Sequence, residues 1–389
     1  MKRLFCLLLA LMVALGLFAV PVRGAEPDYP GKSYCLIDAA TGTVLLAHNE
    51  HEALAPASVT KIMTLLLIME AIDSGTLSWQ DTVTASESAA AKGGSQVYLK
   101  VGETMTVEDM VKSIAVSSAN DCACAMAEHL AGSESAFVDK MNARAAQLGM
   151  LDTHFVNCTG LDDDPAAKDH KTSAYDIALM SRELLVKHPN IKQYTTIWMD
   201  SVRGGAFGLS NTNKLVRFYE GATGLKTGFT SGAGYCLSAS ALRNGMELIA
   251  VVMGCATSND RFNACRGLLD YGFANYGLYT AEAPQSDPIP VRLGKQASVA
   301  AVPKEALSLL VPKGDLASLS LRITLDESLT APVEPGQTVG ELTVYKGEEA
   351  IATLPMVAAQ GVERLSWADL FRQMLGLLTG AKAPKQASP

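Results

Sequence analysis

The 389-residue sequence lacks several patterns that are typical of common functional classes. It contains no His-Glu-x-x-His and no Cys-x-x-Cys spacing, so neither of these arrangements for a metal is available. Its 32 basic residues stand against 40 acidic ones, a formal charge of −8, which gives no electrostatic support for nucleic-acid binding. Beyond the N-terminus, no apolar run is long enough to span a bilayer. We therefore predict no metal, no cofactor and no nucleic-acid partner.

Disorder is also excluded, because 48% of the residues are apolar and only 19% are charged. The longest apolar run covers residues 4–20, follows Lys2 and Arg3, and ends at Pro21. This pattern predicts a secretory signal peptide over residues 1–25, with a retained N-terminal anchor as the alternative. Cleavage after Gly24 is favoured, since Val22 is then the third residue before the cut. Removal of residues 1–25 takes away three basic residues and leaves 29 against 40 acidic ones, a charge of −11.

Cysteines are few for a disulfide-stabilised protein. Eight are present, and Cys6 lies in the predicted signal peptide, so seven remain. An odd number implies a free thiol or an intermolecular bond. Cys122 and Cys124 are two residues apart in a helical pattern and point to different faces, so they are poorly placed to share a metal. We interpret most of the seven as small apolar core residues.

Short apolar strands flank a series of helices in the first two thirds of the chain. Strands are predicted at 33–38 and 43–47, and again at 234–242 and 246–254, where Asn244-Gly245 is typical of a hairpin turn. The predicted helices between and after them are 59–72, 107–116, 120–131, 134–149, 174–187 and 260–275. The pattern indicates an antiparallel sheet, built from both ends of this region, together with a cluster of helices.

The remainder of the chain changes in composition after three prolines in residues 283–290. Residues 291–357 alternate between short strands and turns, which is typical of a small all-β domain. In the tail, residues 365–378 place their large apolar side chains on half of a helical wheel, and Lys382 and Lys385 follow. Such a helix is too short and too two-sided to span a bilayer but suits its surface. The alternative is a helix that packs on the β domain or on a partner chain.

Three short motifs carry the chemistry. Ser58 and Lys61 form Ser-x-x-Lys at a predicted helix start, so that the two side chains are neighbours on one face and the amine can accept the hydroxyl proton. Ser118-Ala119-Asn120 begins another helix, and Lys226-Thr227-Gly228 precedes a strand. Taken singly, each has an ordinary explanation, such as a helix N-cap serine or a turn glycine. Each occurs once, and their order is that of penicillin-binding proteins and class A β-lactamases.

The chain resembles low-molecular-weight penicillin-binding proteins, the serine-type D-alanyl-D-alanine carboxypeptidases of the penicillin-binding protein 5 type. The resemblance covers roughly residues 26–380 and includes the segments 170–176, 211–215 and 224–234. It implies an α/β fold of the transpeptidase/β-lactamase type, with an antiparallel sheet flanked by helices. The expected organisation is a catalytic domain at 26–284, a β-rich domain at 285–362 and an amphipathic membrane-associating helix at 363–382.

The resemblance also implies roles for individual residues. Ser58 attacks the carbonyl between the two terminal D-alanines of a peptidoglycan stem, and Lys61 takes its proton, its pKa lowered by burial and by Lys226. The oxyanion hole is formed by the backbone N–H groups of Ser58 and of Phe229, the residue that follows Gly228 of the Lys-Thr-Gly motif. Ser118 and Asn120 are catalytic residues that bridge between Lys61 and the substrate, and Ser118 relays the proton to the leaving amine. The terminal carboxylate is bound by Lys226, Thr227 and Arg261, and a nearby loop is shaped by His170 and Asp176.

The resemblance predicts a penicillin-binding carboxypeptidase, attached peripherally to the outer face of the cytoplasmic membrane. An endopeptidase that cuts peptidoglycan cross-links would use the same residues and stays an alternative. A β-lactamase is disfavoured because the Glu-x-x-Leu-Asn motif of class A enzymes is missing. A non-catalytic cell-wall-binding protein is disfavoured because it would have no reason to keep Ser58, Lys61 and Lys226 together.

Overall fold

The computed structural model describes residues 28–280 and 285–378. The predicted signal peptide at 1–25, Lys382 and Lys385 lie outside these residues. The predicted domain boundary between residues 284 and 285 adjoins the undescribed residues 281–284 and stays a prediction.

A five-stranded antiparallel sheet lies at the centre of the first region. Its strands, in spatial order, are Val44–His48, Ser33–Asp38, Met246–Cys255, Gly234–Arg243 and Ala222–Thr230. Strands from the start and the end of this region therefore pair directly, as the apolar runs predicted.

Alternate residues of each strand enter different cores, because successive side chains of a strand point to opposite faces. Cys35 and Ile37 belong to one buried cluster, whereas Tyr34 and Leu36 belong to the other. The first cluster includes buried residues from most of the helices, and the second includes those of the helix Ser258–Asn275. Helices thus cover both faces of the sheet. We call the helices on the side of the first cluster the first helical layer, and the edge strand Ala222–Thr230 lies beside it.

The first helical layer has Lys61–Asp73 at its centre, and eight residues of this helix are buried. We call it the nucleophile helix. Besides Ser258–Asn275, the other α-helices of the first region are Glu87–Ala90, Val107–Ser117, Asn120–Ala131, Glu134–Gln147, Ala174–Lys187, Lys192–Thr195 and Leu215–Phe218. Two two-stranded sheets complete the layer, formed by Thr82–Thr84 with Thr104–Thr106 and by Met199–Val202 with Phe207–Ser210.

The sequence prediction missed the edge strand Ala222–Thr230. Its two glycines and three threonines weaken the apolar pattern on which strand prediction depends. Lys226-Thr227-Gly228 therefore lies within a strand rather than ahead of one. Ser118 also differs from expectation, since it ends the helix Val107–Ser117 in a left-handed conformation (φ +63°), and Ala119 is the N-cap of the next helix.

The chain continues into an all-β domain with two small buried cores. Its strands are Ile289–Arg292, Ser298–Val299, Ala301–Pro303, Ser308–Pro312, Leu319–Leu325, Leu329–Thr330, Thr338–Lys346 and Glu349–Ala358. The strand Tyr276–Thr280 pairs with Ser308–Pro312 and so joins the end of the first region to this domain. The predicted fold class, a helix-flanked sheet followed by a β-rich domain, is confirmed.

The final helix runs from Trp367 to Leu378. Ser366 and Asp369 cap its start reciprocally, because the Ser366 hydroxyl accepts from the Asp369 N–H and the Asp369 carboxylate accepts from the Ser366 N–H. Among the described residues, none of the helices has the length and apolar character required to cross a bilayer.

All seven cysteines of the described residues are buried and free. They contribute to the two helix-covered cores on either side of the sheet. This agrees with the interpretation of most of them as small apolar core residues.

Candidate active site

Ser58 and Lys61 meet at the start of the nucleophile helix. Residues Ala57–Thr60 form a single 3-10 turn that leads directly into the helix. The Lys61 ammonium donates to Ser58 Oγ at 2.9 Å and to the Thr159 carbonyl at 2.8 Å. Ser58 is half-buried, whereas Lys61 has no exposed surface. When the amine is neutral, the same contact lets the hydroxyl donate to it, which is the arrangement that a general base requires.

Burial lowers the pKa of Lys61 from 10.5 to about 7, because the charged form loses its hydration. Cys158 and Asp121 act in the opposite direction. The expected contribution of Lys226 to this shift is not found. Instead, the pKa of Lys226 is lowered well below its usual value. The main cause is burial, followed by the charges of Lys61 and Arg261. Charging both lysines together is therefore unfavourable.

The pKa of Lys61 predicts the pH dependence of the reaction. Protonated Lys61 cannot accept the Ser58 proton, so kcat/KM should rise about tenfold per pH unit in acid and level off above about pH 7. The measurement is the rate of acylation by a chromogenic β-lactam across this range. A rate that is constant from about pH 5.5 to pH 8.5 would contradict the assignment of Lys61 as the base.

The Ser118-Ala119-Asn120 motif lies at the junction of the helices Val107–Ser117 and Asn120–Ala131, next to Asp121, whose charge acts on Lys61. We call this junction the second wall of the site. The Asn120 side-chain amide donates to the Gly93 carbonyl at 2.7 Å, and its backbone N–H donates to the Ser95 carbonyl at 2.7 Å. Its Oδ1 atom is buried and has no partner among the described residues. An unpaired buried acceptor is costly, so Asn120 is suited to receive an N–H group from a ligand.

The Lys-Thr-Gly strand, Ala222–Thr230, forms the opposite wall. Lys226 is buried and donates to the Thr227 carbonyl at 2.8 Å, and the Thr227 hydroxyl donates to the Thr212 hydroxyl at 2.6 Å. At Gly228, a Cβ atom would lie 2.6 Å from the Pro56 carbonyl oxygen and 3.1 Å from the Ser58 nitrogen. Only glycine therefore allows the strand to pass this close to Ser58.

Phe229 follows this glycine, and its side chain is 52% exposed. The ring stacks on Tyr235 of the adjacent strand, with centroids 4.2 Å apart. Tyr235 in turn lies beneath the Arg261 guanidinium at 5.2 Å. The backbone of Phe229 is thus held by strand pairing, and its ring is held by stacking.

Arg261 supports the same strand from below. It is 8% exposed, and its guanidinium donates to the Gly228 carbonyl at 2.9 Å and to the Cys236 carbonyl at 3.4 Å. Its Nε atom is buried and has no partner among the described residues. The bonds to Gly228 and Cys236 hold the Lys-Thr-Gly strand against its neighbour.

His170 and Asp176 hold the loop that lies beside Ser58 and Lys61. His170 bonds the Thr60 hydroxyl through Nε2 at 2.8 Å, and its Nδ1 accepts from the Val156 N–H at 3.0 Å. Burial lowers the pKa of His170 to about 4, so the ring is neutral. Asp176 accepts from the Thr153 hydroxyl and the Asp152 N–H. These bonds order the loop that presents Thr159 to Lys61.

Three participants were assigned no role from the sequence. Thr159 contributes only its carbonyl oxygen, a group that every residue carries, so no side-chain pattern marks it. The Thr212 hydroxyl accepts from the Thr227 hydroxyl, although the two residues are 15 positions apart in the sequence. Asp121 holds the 97–99 loop through the N–H groups of Val97 and Leu99. Its position next to Asn120 was the one available signal.

The described residues contain no group of three or more His, Cys, Asp or Glu side chains that could hold a metal ion. The arrangement instead combines a hydroxyl, a buried amine of lowered pKa, an unpaired amide oxygen and a second buried lysine. Chemically, this set can transfer an acyl group to serine and retain an anionic substrate.

Two family models match the chain. The peptidase S11 model, described as D-alanyl-D-alanine carboxypeptidase, matches residues 21–257. The model described as the C-terminal domain of penicillin-binding protein 5 matches residues 278–364. The two matches follow each other in the same order as the helix-flanked sheet and the all-β domain.

Similar proteins are known from several bacteria. The chain is 41% identical over 361 residues to D-alanyl-D-alanine carboxypeptidase DacF of Bacillus subtilis, with 91% of each chain covered. It is 34% identical over 355 residues to DacD of Escherichia coli, with 88% of this chain and 89% of the relative covered.

Solved structures agree in fold. Penicillin-binding protein 5 from Haemophilus influenzae has a TM-score of 0.74 and 30% identity, covering 88% of this chain and 100% of that one. Penicillin-binding protein D2 from Listeria monocytogenes in its ampicillin-bound form has a TM-score of 0.58 and 31% identity. That match covers 64% of this chain and 100% of the other.

Proposed function

Since the chain belongs to the peptidase S11 family of D-alanyl-D-alanine carboxypeptidases, we propose that Ser58 is the nucleophile with which it removes the terminal D-alanine of peptidoglycan stem peptides. The carboxypeptidase activity is that of the family. The assignment of its residues rests on one observation, the 2.9 Å contact between Ser58 Oγ and a fully buried lysine whose pKa is about 7.

Acylation begins with the transfer of the Ser58 proton to neutral Lys61. The Ser58 oxygen bonds the carbonyl carbon of the penultimate D-alanine, and the resulting oxyanion accepts from the backbone N–H groups of Ser58 and Phe229. The bond from that carbon to the terminal D-alanine nitrogen then breaks, and the proton passes from Lys61 through Ser118 to the leaving amine. Water hydrolyses the ester in the reverse sense and restores the free serine.

Substrate binding uses both walls of the site. Lys226 and Thr227 hold the terminal carboxylate, with Arg261 supporting the strand and contributing positive charge. Asn120 Oδ1 accepts an N–H of the stem peptide, which satisfies an atom otherwise buried without a partner. β-Lactams acylate the same serine; the Listeria relative named above was solved with ampicillin.

The direct test is incubation of the mature chain with a pentapeptide stem and with a fluorescent penicillin. We expect D-alanine release from the first and a covalent adduct from the second, mapped by mass spectrometry to the peptide that contains Ser58. An adduct on another serine, or no adduct together with no release, would refute the assignment.

The family acts on extracytoplasmic peptidoglycan, and peripheral membrane attachment is a further part of this proposal. The final helix supports it, because the exposed fractions are 88% for Trp367, 64% for Phe371 and 60% for Met374. Large apolar side chains gain about 1.5–3 kcal/mol each on full burial and less at an interface. A helix that exposes several of them is suited to the surface of a membrane.

The attachment can be tested by truncation. Residues up to Leu365 must be kept, since Val362 is buried in the β domain and the Leu365 N–H bonds the Leu293 carbonyl. A chain that ends at Leu365 should stay folded, cleave small peptides at a near-normal rate and no longer sediment with anionic vesicles. The full mature chain should sediment with them, and high salt should release only part of it.

A paired substitution separates apolar insertion from charge. Trp367→Glu with Phe371→Glu should release the chain, whereas the same two charges added at the exposed positions Ser320 and Thr324 should not. Equal sedimentation of the truncated and full chains would show that the helix does not bind the membrane. The helix would then be a packing or oligomerisation element.

A further inference from the structure

An open apolar pocket lies beside the Ser118-Ala119-Asn120 wall, and no step of the proposed mechanism uses it. Its volume is about 590 Å³, and its lining is Val97, Tyr98, Lys100, Glu103, Arg203 and Phe207. We call it the Tyr98 pocket. Tyr98 is 68% exposed, and the centroids of its ring and of the Phe207 ring are 6.3 Å apart. Large exposed aromatic side chains of this kind are typical of binding surfaces.

The pocket is rigidly built. Tyr98 and Arg203 both have left-handed backbone conformations, with φ of +59° and +56°, which side chains other than Gly, Asn and Asp rarely adopt. Arg203 pairs with Glu103 at 2.6 Å and donates to the carbonyls of Val97 and Tyr98 at 2.7 and 3.4 Å. Its guanidinium also lies 5.5 Å from the Phe207 ring. The strain at Tyr98 thus holds an aromatic ring outward on a fixed loop.

The same loop is bonded to the active-site wall. Asp121 accepts from the N–H groups of Val97 and Leu99, and the Ser95 carbonyl accepts from the Asn120 N–H. Tyr98 is three residues beyond Ser95, so their Cα atoms are at most about 11 Å apart. An extended peptide that reaches Asn120 would need only about three further residues to enter the pocket.

Charge indicates which part of the peptide enters. Glu103 forms an ion pair with Arg203, whereas the exposed Lys100 has no ion pair among the described residues and its charge acts on Glu103 only at longer range. The pocket therefore offers aromatic walls and one available cation, which suits an aliphatic chain that carries a carboxylate. The terminal carboxylate of the stem is already assigned to Lys226. A second carboxylate must come from the part of the stem that precedes the scissile bond.

We propose that the Tyr98 pocket is a second subsite, which binds a carboxylate-bearing residue of the stem peptide upstream of the D-alanyl-D-alanine bond. The proposal rests on the proposed function and adds substrate selection to it. The enzyme then distinguishes stems by a free carboxylate several residues away from the bond that it cuts.

Three substrates test this subsite. They are Nα-acetyl-L-lysyl-D-alanyl-D-alanine, the pentapeptide L-alanyl-γ-D-glutamyl-L-lysyl-D-alanyl-D-alanine, and the same pentapeptide with the glutamyl α-carboxylate converted to an amide. Wild-type kcat/KM should be highest for the pentapeptide with the free carboxylate. Release of D-alanine from this pentapeptide by the wild-type chain, together with penicillin labelling of Ser58, tests the proposed function independently of the subsite.

Two variants remove the two features of the pocket. Tyr98→Asn removes the ring and tolerates positive φ, and it should lower kcat/KM about tenfold more for the pentapeptide than for the tripeptide. Lys100→Gln removes the charge at an exposed position, and its loss on the free-acid pentapeptide should exceed that on the amide by at least about fivefold. Leu151→Ala, 90% exposed and not part of the pocket, is the control and should change neither ratio.

Thermal unfolding of each variant verifies that it is folded. Losses that are equal for the three substrates, or no loss with any of them, would overturn the subsite while the wild-type activity stands. A loss with Tyr98→Asn that is the same for both pentapeptides, combined with no effect of Lys100→Gln, would overturn the carboxylate recognition.

Discussion

Ser58→Ala is expected to abolish both D-alanine release and covalent labelling by penicillin, lowering kcat by more than about 10⁴-fold. Loss of the nucleophile in serine peptidases removes the acyl-enzyme route altogether, and only transition-state binding remains. The fold should persist, because the Ser58 hydroxyl contacts Lys61, which still donates to the Thr159 carbonyl after the substitution.

The companion variant is Lys61→Met, which removes the amine and keeps most of the buried volume. Its loss of activity should be comparable to that of Ser58→Ala, since members of a catalytic unit are not additive. Ser74→Ala, at the other end of the nucleophile helix and exposed, is the control and should retain full activity. Acylation of the Ser58→Ala protein by penicillin would show that the nucleophile is another residue.

The second large effect concerns the buried lysine of the Lys-Thr-Gly strand. Lys226→Met should lower kcat/KM about 10- to 150-fold for a substrate that ends in a carboxylate. This range corresponds to the loss of a hydrogen bond to a charged group, about 1.5–3 kcal/mol. A matched substrate that ends in an amide should lose less than about fivefold, because it offers no charge to the ammonium.

The ratio of the two losses is therefore the diagnostic quantity. Comparable losses for the acid and the amide would assign Lys226 to the protonation of Lys61 or to the architecture of the strand. The pH profile separates these two, since the first would shift the acid limb and the second would leave it in place.

Most helices were predictable because their apolar periodicity is local. The helix at 120–131 and the helix at 174–187 have the bounds that the sequence predicted. The strand at 33–38 does as well, because its apolar run is flanked by polar turns. The edge strand Ala222–Thr230 was missed, since its glycines permit close contacts with distant segments, which no local apolar pattern reveals.

The contact within the Ser-x-x-Lys motif was predictable for a similar reason. Ser58 and Lys61 are three residues apart, so their contact follows from helical geometry alone. The pairing of the three motifs could be suggested only by resemblance, because they lie on a helix start, a helix junction and a strand separated by up to 168 positions.

The sequence by itself thus determined the local elements, the Ser-x-x-Lys pair and the resemblance that unites the three motifs. Tertiary structure decided the rest. Burial, which depends on every surrounding element, brings the pKa of Lys61 to about 7. The Thr159 carbonyl reaches Lys61 across 98 positions, and the Tyr98 pocket joins a loop and a hairpin 105 positions apart. Such contacts carry no local periodicity, because they arise only when the packed layers bring distant backbone together.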